Sequence, residues 1–503
     1  MCSSACVPWA ATSRCRNTCA FCALGACTLG FVYGCSPLVL PVEEALARGL
    51  DEQDNLAPSG YFLYGMSLLL ILFNAFAFLV SWWLPSRPRA ALHAVRLSMV
   101  AWPSGCVLLA LAVQLGMPSL LFLAFAALAP PLAVIDLYLC HIELPRSWDE
   151  GEVHKGMSAL GFSIGLGAIF WSLLSGELAG RLGAAPAMWA VAAGQGIIIL
   201  LIQVLLRPTR LFAERLQAEP SAAAEASCER TDVSAAACDW RVWAYCYIIC
   251  GMVFCGRSIK MLISVIFEHA LEMPYLDAVH VTAAYLCLYC LGRGLTPLLA
   301  TGDRIYLLYG GILGMESLAY AITPWSLGLS AYRAPVYVVL RLLSGGGFAV
   351  LLGNLTMLSV RSFGLARNHS VLSVLMMVEW VSGAGPAIVW TMHVSAMRGG
   401  RSAGESYNMF FYVCAGVAAS TTVAVFSLQR TSSTVASAAE SSPSCAGSSE
   451  AGAALEDVTL VIEEVCAAVK EGAYPVPGES YARRLMPFRR CPLWLCNSSC
   501  VLA

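Results

Sequence analysis

Charge is what this chain has least of: Asp, Glu, Lys and Arg together make up only 12% of its 503 residues. A polypeptide so poor in charge cannot cover a water-facing surface, which excludes the soluble globular classes. Enzymatic motifs are lacking as well. No nucleotide-binding loop, catalytic triad, zinc-binding helix or haem motif occurs, and no loop offers a nucleophile, a metal site or an acid–base pair. We therefore expect no enzyme, no cofactor, no metal centre and no nucleic-acid partner. Cysteine, by contrast, is plentiful, with 22 residues. Cys19 and Cys22 have metal-type spacing but no matching His or Cys pair downstream, and read as small apolar residues.

What is present is apolar length. Mean hydropathy is +0.70, and twelve stretches are long enough to cross a bilayer. They lie near 18–40, 61–84, 97–116, 119–140, 157–180, 187–206, 242–267, 276–300, 305–325, 335–358, 369–393 and 406–428. A helix rises about 1.5 Å per residue, so about 20 apolar residues span a hydrocarbon core of about 30 Å. The class is all-α, a multi-pass integral membrane protein with the lipid bilayer as its first partner. Residues 18–40 are too long for a signal segment and serve as the first span.

The stretches divide as six, a polar break, and six. Residues 1–17 form an N-terminal segment, 18–207 a first six-helix bundle, 208–240 a linker rich in Ala, Ser and Glu, 241–428 a second bundle, and 429–503 a tail. Two six-helix halves joined in this way are the organisation of parallel-repeat secondary transporters, whose substrate site lies between the halves near mid-membrane. With the N-terminus placed inside, the inner loops carry Arg87, Arg89, Arg96, Arg146, Lys155, Arg207, Arg210, Arg304, Arg361 and Arg367 among others. The outer loops hold Arg48, Arg181, Arg333, Arg398 and Arg401. That bias, about threefold, puts both termini in the cytosol.

Charges inside the spans narrow the function. A charged side chain at the bilayer centre costs about 2.5–3.5 kcal/mol on insertion scales and calls for an explanation. The seventh stretch holds Arg257 and Lys260, three residues apart and so on one helix face. The eighth holds Arg293, the tenth Arg341, the eleventh Glu379, and the fourth Asp136 after the Pro130–Pro131 break. Arg257, Lys260 and Arg293 outnumber Glu379, which favours an anion in a central cavity. Glu379 as the neutralising partner of Arg293 is the plainer, structural reading of that pair. Gly156, Gly161, Gly165 and Gly167 mark a close helix approach. Gly345, Gly346 and Gly347 should loosen the tenth helix. Gly383, Gly385 and Pro386 should break the eleventh beside its carboxylate.

Residues Asp239 to about Val394 resemble the C-terminal half of the monocarboxylate transporter and oxalate/formate antiporter branch of the major facilitator superfamily. The segment YLCLYCLGRGLTPLLATGDRI, 285–305, is similar to that family's helix 8 and the loop after it, with Arg293 at the substrate-linked Arg. FGLARNHSVLSVLMMVEWVSGAGPAIV, 363–389, is similar to its helix 11, where Glu379, Gly385 and Pro386 match. GEVHKGMSALGFSIGLGA, 151–168, is similar to its basic loop and Gly-rich helix 5 start. The resemblance implies two helical bundles and a substrate site around Arg293 and Glu379. It departs at Tyr289, where the family carries an Asp, so no proton-coupling carboxylate transfers to that position.

In the tail, a Ser/Ala-rich stretch reads as disordered, 453–471 has helical periodicity, and Cys500-Val501-Leu502-Ala503 fits a prenylation pattern at Cys500.

The expectation is a transporter of small organic solutes by alternating access, with a mono- or dicarboxylate as cargo and a proton as the candidate coupling ion. Substrate binding is assigned to Arg293, Glu379, Arg257, Lys260 and Arg341. An amino-acid cargo and a non-transporting membrane sensor or scaffold are the rival readings.

Overall fold

A computed structural model describes residues 6–48, 60–84, 87–149, 152–210, 213, 233–299, 304–327, 333–364 and 367–441. Most of the linker, the 453–471 segment and Cys500 lie outside the described residues. Contacts separate a compact unit, residues 1–430, from residues 431–503. Of the latter, the structure describes only the end of the last helix, which runs from Asn408 to Ser441.

Among the described residues, twelve helices are long and apolar enough to cross a membrane. In chain order they are α1 Cys15–Gly34, α2 Tyr61–Trp83, α3 Pro88–Leu115, α4 Pro118–Arg146, α5 Val153–Leu182 and α6 Ala184–Leu205. The second set is α7 Trp240–Leu271, α8 Tyr275–Leu295, α9 Arg304–Ser326, α10 Pro335–Gly353, α11 Asn368–Arg398 and α12 Ala403–Arg430. Large apolar side chains such as Leu97, Leu205, Leu343 and Val423 stand exposed on the outside, as a lipid-facing surface requires. Burial is uneven: 83% of the most apolar window of α7 is buried, against 33% for α6 and α12. Helix α7 is therefore central, and α6 and α12 are peripheral.

Local chemistry sets the helix ends. Gly116, in the left-handed region at φ 62°, closes α3, and Pro118 opens α4 two residues on. Asp239 caps α7 by accepting from Arg241 N at 2.9 Å. Ser402 and Glu405 form a reciprocal capping box at the start of α12. Burial presses the Asp239 carboxyl upward, but hydrogen bonds from Arg241 outweigh it and hold the group below its ordinary value.

Three features differ from the sequence expectation. The first span stops at Gly34, not at residue 40, because Pro37 follows at once. Ser36–Leu38 make a 3-10 turn, and Val39–Arg48 form a separate helix. From that helix the buried Glu43 accepts the N–H groups of Gly60 (3.0 Å) and Phe62 (2.6 Å), capping α2. Helix α4 runs through Pro130 and Pro131 without a break and then winds wider, as an eleven-residue π-helical segment Ala133–Glu143. Helix α10 stays helical through Gly345–Gly347 and turns only at Asn354. A Cβ on Gly345 would meet the Tyr285 ring, and one on Gly347 would meet Glu316 Oε1, at 2.4 and 2.5 Å.

The halves meet through two equivalent helix pairs. Helix α5 packs on α8, and α11 packs on α2. Exchanging the halves (adding or subtracting six) converts one pair into the other, as parallel repeats require. Gly161 and Gly165 permit the first pair, since Cβ atoms there would sit 2.3 Å from the Arg293 carbonyl oxygen and 2.5 Å from Cys290 Cα. In the second, Gly383 lies against Leu70 and Ile71, just before the α11 helix restarts at Gly385.

Candidate functional site

Arg257, Lys260 and Arg293 do not point to lipid. They are 5%, 1% and 3% exposed, and Glu379 is 3% exposed. The α7 register sends Arg257 toward α11, where its Nη2 donates to Glu379 Oε1 at 3.1 Å. Glu379 is therefore the partner of Arg257, not of Arg293, a correction to the sequence pairing. Arg293 instead donates through Nη1 to the Tyr289 hydroxyl, one turn earlier on α8, at 2.6 Å. Tyr289, which stands where the resembled family has an Asp, thus still serves as an acceptor for this Arg.

Lys260 lies between two rings, its Nζ 3.6 Å from the centroid of Tyr33 on α1 and 3.3 Å from that of Tyr289. Arg293 Cζ is 5.7 and 5.9 Å from the same rings. The negative faces of the rings partly compensate cations withdrawn from water. Asp136, from the π-helical part of α4, lies within charge–charge range of Arg293 and Arg257. Its Oδ1 is 3.6 Å from His141 Nε2. Three cations thus face two carboxylates, and several donors remain unused. Arg257 Nε, Arg257 Nη1 and Lys260 Nζ are buried without a hydrogen-bond partner. Each such group costs about 1–3 kcal/mol while unpaired. The cluster is short of acceptors, which a carboxylate or another anion would supply.

Both ends of the inter-half seam are closed around this cluster. On the end bearing the α1–α2 connection, Ser36 Oγ and Ser264 Oγ are 2.9 Å apart, the Tyr275 hydroxyl donates to Pro37 O at 2.9 Å, and Ala387 N donates to Ser67 Oγ at 3.0 Å. On the opposite end, Ser373 Oγ donates to Ser81 Oγ at 2.8 Å, Ser158 donates to Gly294 O, and His141 Nδ1 is 3.2 Å from Thr356 Oγ1.

Arg341 stands apart from the other assigned residues. It is buried within the second half, gives Nη2 to Thr323 Oγ1 at 2.6 Å, and sits 5.2–5.5 Å from the Tyr320, Tyr337 and Phe411 rings. Near it lies Glu316 of α9, a buried carboxylate absent from the sequence assignment; Ser344 Oγ donates to its Oε2 at 2.6 Å. A single Glu in an otherwise apolar run was the available signal. Tyr33 and Tyr289 gave none, since tyrosine is ordinary in a span. No group of three or more His, Cys, Asp or Glu able to hold a metal occurs among the described residues.

No family model matches the sequence, and no curated protein sequence does. Solved structures do match. The chain is similar to a POT family peptide transporter (TM-score 0.59, 15% identity, covering 82% of this chain and 97% of that one). It is also similar to the human organic anion transporter MFSD10 (0.57, 13%, 82% and 99%). A third match is the proton:xylose symporter XylE of the major facilitator superfamily (0.63, 12%, 82% and 95%). At such identities the likeness is one of fold. The chain has the major facilitator fold, with twelve membrane-crossing helices in two six-helix halves around a buried, cation-rich cluster.

Proposed function

We propose that this protein moves small organic anions across a membrane by alternating access, with mono- and dicarboxylates as the first class of cargo. The observation that carries the reading is the set of unpartnered donors between the halves, Arg257 Nε and Nη1 and Lys260 Nζ, in a cluster with more cations than carboxylates. Arg293, one helix away, adds a guanidinium fork suited to a carboxylate. Glu379 holds Arg257 and competes with cargo for it, which links occupancy to conformation. The Lys/Arg bias of the loops supports cytosolic termini.

A zwitterionic amino acid is the second reading, favoured by Asp136, whose buried Oδ1 has no hydrogen-bond donor and could receive an amine. Uptake by proteoliposomes of labelled lactate, pyruvate and oxalate beside an amino-acid panel, at two pH values, tests both. Arg293→Leu should abolish anion uptake with the purified protein still folded. Undiminished uptake in that variant, or no anion taken up by the wild type, overturns the proposal.

A further inference from the structure

Five carboxylates are buried among the described residues, and four have evident work. Glu43 caps α2, Glu143 pairs with Arg146 at 3.2 Å, Glu379 pairs with Arg257, and Asp136 faces the cations of the anion cluster. Glu316 is left over. It lies twelve residues into α9, about 18 Å along the helix axis and so near mid-span. No cation among the described residues comes within ion-pair distance of it, although Arg341 shares its surroundings and keeps Nε and Nη1 unpartnered. The groups facing Glu316 are Arg341, Ser344 and the Phe348 backbone from α10, Tyr285 from α8, Cys414 from α12 and Tyr320 from α9 itself, and Cys255 of α7 borders the same cavity.

Beside it is a cavity of about 10 Å³, room for about one water molecule, bordered by Glu316, Tyr320, Cys255, Met252 and Phe348. Phe348 ties this cavity to the anion cluster. Its ring is 6.1 Å from that of Tyr289, which holds Arg293 and Lys260. It also fills the space where Gly256, the residue before Arg257, has no Cβ; one there would sit 2.1 Å from the ring.

We propose that Glu316 is a proton-binding site whose occupancy sets the energetics of the anion cycle, an inference that rests on the transport reading above. A proton arriving through the one-water cavity binds the carboxylate and leaves the same way; no other bond forms or breaks. The neutral carboxyl no longer attracts Arg341, its bond with Ser344 can reverse direction, and α9 re-settles against Phe348 of α10. From Phe348 the change reaches Tyr289 and Gly256, and through them Arg293, Lys260 and Arg257.

Two measurements on the purified full chain test this. Infrared difference spectra between an acid and a neutral buffer should contain a buried-carboxyl band that Glu316→Gln removes and Glu316→Asp keeps. In proteoliposomes with a one-unit pH gradient, a monoanion carried with one proton can accumulate about tenfold. Labelled lactate should do so with the wild type, whereas in Glu316→Gln the internal level should stop at the external one. A band that persists in Glu316→Gln, or accumulation equal to wild type in that variant, overturns the proposal. If the band is lost but the wild type moves none of the carboxylate panel, the transport reading fails and the coupling falls with it.

Discussion

The Arg257–Glu379 pair offers the sharpest check on the site. Replacing Glu379 by Gln keeps the side-chain shape and removes the charge that Arg257 meets at 3.1 Å. At an effective dielectric constant of about 20, unit charges so close attract by about 5 kcal/mol. Both side chains are only 5–6% exposed, so water cannot take over. Two of the Arg257 nitrogens already lack partners. The variant should therefore lose about 3–5 kcal/mol of stability, the usual cost of orphaning a buried charge. Arg257→Met alone should also destabilise, by stranding Glu379. The double variant should recover much of either loss, giving a coupling well above the ~0.5 kcal/mol seen between independent sites. Arg293→Met combined with Glu379→Gln should be close to additive. Thermal unfolding in detergent, followed by a thiol-reactive dye on buried cysteines such as Cys246 and Cys414, measures all four. Strong coupling of Glu379 to Arg293, with none to Arg257, would refute the assignment.

Other outcomes follow from the same geometry. Tyr33→Leu should lower stability by about 2 kcal/mol by removing one face of the Lys260 sandwich, and Tyr33→Phe by much less. Unfolding in a Lys260→Met background should erase that difference. Ser81→Cys with Ser373→Cys, in a chain stripped of reactive native thiols, should cross-link under oxidation, because the two Oγ atoms are 2.8 Å apart. Uptake should stop until reductant is added, and oxidised protein that still transports would show that this seam does not open. Asp239, at the mouth of α7, has its carboxyl held below the ordinary value, so the stability it lends is present above about pH 4 and drains away as pH falls further. Asp239→Asn should flatten that part of an acid-unfolding profile.

The twelve spans were legible because run length against bilayer thickness is a one-dimensional quantity. Their ends were less so. Apolarity continues through Ser36–Leu40, and only the backbone demand of Pro37 stops α1 at Gly34. Positions of charges along the spans were legible too; their partners were not. Whether Glu379 meets Arg257 or Arg293 depends on how α7, α8 and α11 are rotated against each other, which no single run encodes. Arg341 is a cation inside a span like the others, yet its helix turns it toward Thr323 and Tyr320 of α9 and Phe411 of α12. The place of Glu316 was hidden for a related reason. Composition along the spans shows a surplus of cations but not that the fold sorts them into two clusters separated by Phe348.

The division of the cluster between the halves says which contacts an opening motion can break. Arg257–Glu379 and Arg293–Tyr289 lie wholly within the second half, so rocking of one half on the other leaves them intact. Lys260 is shared. Its Tyr289 face belongs to the second half and its Tyr33 face to the first. Asp136 also comes from the first half, from a π-helical turn whose wider winding displaces its side chain from the ordinary helical register. Opening the seam at either end would thus withdraw a ring and a carboxylate from three cations that stay together. An anion entering the gap would take the place of Asp136 and of the Tyr33 ring. On the proposed reading, closure would bring them back to the anion from the other side, with the second half holding it throughout.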